Sequence, residues 1–68
     1  MSHPLRARIY KSLQGRVASP RLMSTELGVP LGNVAYHVRR LDDLGLIKLV
    51  NVTRARGALE HHYTAVKL

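Results

Sequence analysis

Cysteine, phenylalanine and tryptophan are absent from the 68 residues, and acidic side chains number only 4. Without cysteine there is no disulfide framework, no thiolate metal site and no cysteine nucleophile, and the chain suits a reducing cytoplasm. Without Phe or Trp, the core has to be built from Leu, Val, Ile, Met, Ala and Tyr. No apolar run approaches the roughly 18 residues of a membrane span. The opening Met1-Ser2-His3-Pro4-Leu5-Arg6 lacks the apolar stretch of a signal peptide, so neither a membrane nor secretion is expected. No paired carboxylates frame a cleft, and there is no glycine-rich phosphate loop or Ser/His/Asp grouping. Neither an enzyme nor a bound cofactor or metal is expected.

Basic residues are plentiful. Eleven Lys and Arg set against 4 acids give a formal charge of +7. On one small domain that balance is the electrostatic footprint of a nucleic-acid binder. A chain this short forms one domain, residues 1–68, and buries only about 60% of the surface its unfolded form exposes.

The spacing of apolar residues predicts three helices and a hairpin. Over about 4–14, Pro4 suits the first helical position, Leu5, Ile9 and Leu13 form a stripe, and Gly15 is a stop. Ser19-Pro20 is an N-cap followed by proline at N1, opening a helix over about 20–27 with Met23 and Leu27 inward and Gly28 as its end. A third helix covers about 31–44, with Leu31, Val34, Val38 and Leu41 inward and Gly45 as its stop. Two helices joined by a short glycine-containing turn make a helix-turn-helix, here about 20–44. Residues 46–53 and 59–66 read as strands around a polar turn at 54–58, a wing of about 46–66. Residues 16–18 are placed to add a short third strand. The expected fold is α+β: a winged helix-turn-helix, three helices followed by a β-hairpin wing.

On the third helix, the face opposite the core carries Gly32, Tyr36, Arg39, Arg40 and Asp43, with Asn33 and Ala35 on the flanks. Such a helix fits the major groove of double-stranded DNA. Asn33 can pair with adenine, Tyr36 can reach a phosphate or a thymine methyl, and Arg39 and Arg40 can grip phosphate or guanine. Gly32 allows close backbone approach. Arg54 and Arg56 flank the wing tip and suit the backbone or minor groove. Arg16 and Arg21 are weaker phosphate candidates, the latter at the start of the second helix. Asp42 and Asp43 oppose phosphate, and their spacing allows pairing with Arg39 or Arg40. His37 is expected as a packed, hydrogen-bonded residue. His61 and His62 point to opposite strand faces and cannot chelate one ion together.

These motifs resemble those of the ArsR-like winged helix-turn-helix regulators, in a short actinobacterial and phage-type branch. His3-Pro4-Leu5-Arg6-Ala7-Arg8-Ile9 is similar to that family's opening. The stretch from Ser19-Pro20 through Leu27-Gly28 to Tyr36-His37-Val38 is similar to its helix-turn-helix. Leu41 and Leu44-Gly45-Leu46-Ile47 match its helix end, and Arg56-Gly57-Ala58-Leu59-Glu60-His61-His62-Tyr63 its wing. The resemblance implies transcriptional regulation by operator binding, commonly as a homodimer, in the cytoplasm on the nucleoid. Metal sensing in the family uses cysteine ligand sets and is not implied here. Family serines near the recognition helix are replaced by Pro30, Gly32 and Ala35, which removes their side-chain phosphate contacts, and Leu22 stands at a usually polar position. The 68 residues include no additional terminal helix of the kind that often builds the dimer. Two other roles fit the same residues: an architectural or excisionase-like DNA-binding protein, and a winged-helix protein-interaction module.

Overall fold

A computed structural model describes residues 3–67. Its elements run α1 (Pro4–Ser12), α2 (Pro20–Leu27), α3 (Leu31–Asp43), β1 (Ile47–Ala55) and β2 (Ala58–Ala65). This is the expected winged helix-turn-helix order.

The helices start and stop where local chemistry dictates. α1 opens on Pro4 at its first position. It ends two residues before the predicted 14, because the last turn tightens: the Leu13 and Gln14 N–H groups donate to the Tyr10 and Lys11 carbonyls at 3.1 Å. In α2 the Ser19 hydroxyl accepts from the Leu22 N–H at 3.2 Å, which satisfies a donor the helix leaves free. α3 closes at Asp43 with a paired cap: Gly45 N–H donates to Asp42 O and Leu46 N–H to Leu41 O, both at 3.0 Å. That motif requires a left-handed residue, and Gly45 supplies it at φ 74°.

The hairpin differs from the prediction in two informative ways. The turn is two residues, Arg56-Gly57, not five, and both have positive φ, 52° and 78°. Left-handed pairs of this kind match the twist of the flanking strands, so pairing continues to the tip and Arg54 lies in β1. The second difference is a bulge at Val50, between the pairs Leu49↔Tyr63 and Asn51↔His62. One extra residue shifts the alternation. Ile47, Leu49, Val52 and Arg54 therefore share the face that carries Ala65, Tyr63, His61 and Leu59. This explains why apolar residues in β1 recur at second and then third positions.

The third strand at 16–18 is reduced to a single bridge. Ala18 and Tyr63 exchange two backbone hydrogen bonds, 3.0 and 2.9 Å. Pairing stops there because the next residue, Ser19, is committed to capping α2. Thr64 Oγ1 donates to Arg16 O at 2.7 Å and Ala65 N–H to Leu13 O at 3.0 Å, so the α1–α2 connection is tied to β2 throughout.

The core comprises Ile9, Leu13, Ala18, Met23, Val34, Val38, Leu41 and Ile47, with Leu5, Leu27 and Tyr63 packed at its margin. Leu31 departs from its predicted inward place and is 39% exposed. At 100° per residue it lies only about 20° beyond the buried Val38, so its exposure follows from its place at the helix start, where no further turn covers it.

Candidate nucleic-acid interface

Burial of Val34, Val38 and Leu41 fixes the rotation of α3. Gly32, Asn33, Tyr36, Arg39, Arg40 and Asp43 are consequently exposed, Tyr36 at 57%. A Cβ at Gly32 would meet nothing within 4 Å, so nothing inside the chain demands a glycine there. The expected pairing of Asp42 and Asp43 with Arg39 or Arg40 does not form. The ion pairs among the described residues are Arg16–Glu26 and Arg21–Glu60. An arginine placed N-terminal to the acid is the weaker orientation on a helix, and water competes for an exposed pair worth only a few tenths of a kcal/mol. Arg39 and Arg40 thus keep their charge available.

The remaining predicted residues divide. Arg21, at the start of α2, is 66% exposed in its side chain and only 3.9 Å from Glu60, a loose contact that leaves most of the guanidinium in water. Arg54 stands on the β1 face shared with Leu59. Arg56 occupies the tip in the left-handed region, which costs a non-glycine residue about 1–2 kcal/mol. The turn therefore carries a charge where Asn or Gly would be easier. Arg16 is not a free cation. Its Nε donates to Ser12 O at 2.7 Å, and its terminal nitrogens donate to Ser12 Oγ and to both Glu26 oxygens. The hydrogen bond from Arg16 holds the Glu26 carboxyl below its ordinary pKa. Arg16 staples α1 to α2.

Across from α3, the hairpin forms the other wall of a groove of about 360 Å³, bordered by Arg21, Arg39, Asp42, Leu59, His61 and Tyr63. Burial, reinforced by Asp42 and opposed by Arg39, pushes the Tyr63 phenol above its ordinary pKa, so its hydroxyl remains a neutral donor. His61 and Tyr63 were not singled out as site residues from sequence. Their alternation with Leu59 along one strand was the available signal. His62 lies on the other face, its Nε2 2.8 Å from Thr53 Oγ1.

His37 is packed and hydrogen-bonded as expected. Arg6 Nε donates to its Nδ1 at 3.2 Å, and the Tyr36 ring stands edge-on to it with centroids 5.2 Å apart.

A helix-turn-helix pair followed by an antiparallel hairpin that shares a groove with the second helix defines a winged helix-turn-helix domain. Residues 1–50, from α1 into β1, match the family model described as "Helix-turn-helix domain". The chain belongs to that family of DNA-binding domains. No curated protein is significantly similar to it. Among the described residues no helix is long and apolar enough to cross a membrane.

Proposed function

We propose that the protein is a sequence-specific regulator of transcription, an ArsR-like repressor that reads double-stranded DNA. In this reading α3 lies in the major groove, with Asn33, Tyr36, Arg39 and Arg40 toward base edges and adjoining phosphates. Gly32 brings the backbone close. Arg54 and Arg56 hold the backbone or minor groove at the wing, and Arg21 takes a phosphate at the start of α2. A homodimer on a two-fold symmetric operator, on the cytoplasmic nucleoid, fits the family resemblance. The observation that carries the proposal is a pair of adjacent arginines, free of carboxylate partners, on the outward face of a helix that shares a groove with a hairpin, whose strand end and turn carry the exposed Arg54 and Arg56.

Alanine variants separate reading from gripping. On the best duplex selected from random DNA, Arg40→Ala and Tyr36→Ala each cost about 1–3 kcal/mol and relax preference at individual positions. Arg56→Ala weakens all sequences alike. Competition binding with single-base variants of the site measures both. Uniform weakening by all three variants overturns the specific-regulator reading in favour of an architectural protein that holds DNA without reading it.

A further inference from the structure

The Arg6–His37 hydrogen bond joins α1 to α3 across 31 positions of sequence, beside a side chain on the proposed DNA face. Because Arg6 Nε donates to Nδ1, the ring in this arrangement is a neutral imidazole with its proton on Nε2. Tyr36 meets the same ring at an interplanar angle of 70°, and the His3 ring lies 5.8 Å away. Position 37 therefore touches both a basic residue of the first helix and an aromatic residue of the outward face.

We propose that His37 is a positioning residue for DNA recognition: in its neutral form it clamps Arg6 to α3 and fixes the Tyr36 ring on the DNA-facing side. The proposal rests on the DNA-binding reading above. Protonation places a hydrogen on Nδ1, abolishes the acceptor and sets an imidazolium against the Arg6 guanidinium. The groups around the ring act together. Arg6 and His3 face it from the α1 side, the Tyr36 ring lies beside it, and Arg40 stands three residues on along α3. Burial first, then Arg6 and His3, holds its pKa below the ordinary 6.5. With the folded-state pKa depressed, the stabilisation from the clamp is fully present above the unfolded value. It is lost as pH falls through the folded value. The consequence runs against simple charge. Added protons strengthen non-specific attraction to phosphate, whereas opening the clamp weakens discrimination between sequences.

NMR on the free protein and binding on DNA test the two halves separately. In the free protein the Tyr36 ring and Arg6 Nε–H signals follow the His37 titration with one midpoint below about 6.5, in wild type and in His3→Gln. In His37→Asn, whose amide oxygen accepts from Arg6 without titrating, both signals stay constant. Between about pH 7.5 and about pH 5.5, wild-type preference for the selected duplex over a scrambled one falls about threefold or more, and that of His37→Asn is flat. Arg6→Met keeps the apolar stem but removes the donor. It reproduces at neutral pH the Tyr36 shift and the lowered preference of the protonated wild type, which keeps the test open should His37→Asn not fold. Tyr36 and Arg6 signals that ignore the His37 titration overturn the clamp whether or not DNA binds. Coupled signals with preference equal at both pH values overturn the positioning role. Coupled signals with no duplex affinity at any pH overturn the DNA reading, and the positioning role with it.

Discussion

For each bound protomer, affinity for duplex DNA falls about 500-fold when monovalent salt is raised from about 50 to about 200 mM, a log–log slope near −4.5 per protomer. The slope follows from counting. Arg21, Arg39, Arg40, Arg54 and Arg56 are the site cations left largely in solvent, whereas Arg16 is taken up by Glu26 and Ser12. Each cation that neutralises a phosphate releases about 0.9 counterion from the duplex. Fluorescence anisotropy across a salt series gives the slope directly. Arg16→Ala leaves it unchanged, while Arg39→Ala combined with Arg40→Ala makes it shallower by about two. A flat salt response contradicts the account.

Leu41→Ala removes about half or more of the domain's stability, about 2–5 kcal/mol. A chain of this length is worth roughly 3–10 kcal/mol in total at the usual stability per residue. Leu41 is 2% exposed, and among the described residues the core around it holds only eight buried apolar residues, none of them Phe or Trp. Surrounding side chains relax only partly into the space left behind, so the loss combines transfer and cavity terms. Leu44, three residues on and 57% exposed, is the matched comparison: Leu44→Ala changes stability by no more than about 0.5 kcal/mol. Urea denaturation followed by circular dichroism measures both. Equal midpoints for the two variants mean that α3 is not seated on the core by Leu41.

The same seating explains which features were legible in sequence. α2 matches its predicted span of 20–27, because its limits are set by residues next to it: the Ser19 cap, Pro20 and Gly28. The outward face of α3 was legible because a stripe of Val34, Val38 and Leu41 leaves one side for solvent. Features that depend on distant partners were not. Arg16 resembles any other basic residue until Glu26, ten positions away, is brought beside it. The Arg6–His37 contact needs α1 laid against α3. The Val50 bulge depends on register with β2, and the two-residue turn on Arg56 accepting a conformation that its type disfavours. Local rules located the elements and the outward face of α3. Tertiary packing decided which charges remained free to act.

The central claim is that the outward face of α3 and the wing meet duplex DNA together. It is tested most directly by titrating isotope-labelled protein with its selected duplex and following amide and arginine side-chain NMR signals. The expected result is shifts or broadening concentrated at Gly32, Asn33, Tyr36, Arg39 and Arg40, with a second set at Arg54 and Arg56 and a weaker one at Arg21. Signals that move on α1 or along the outer edge of β1, while those of α3 and the wing tip stay in place, would contradict it.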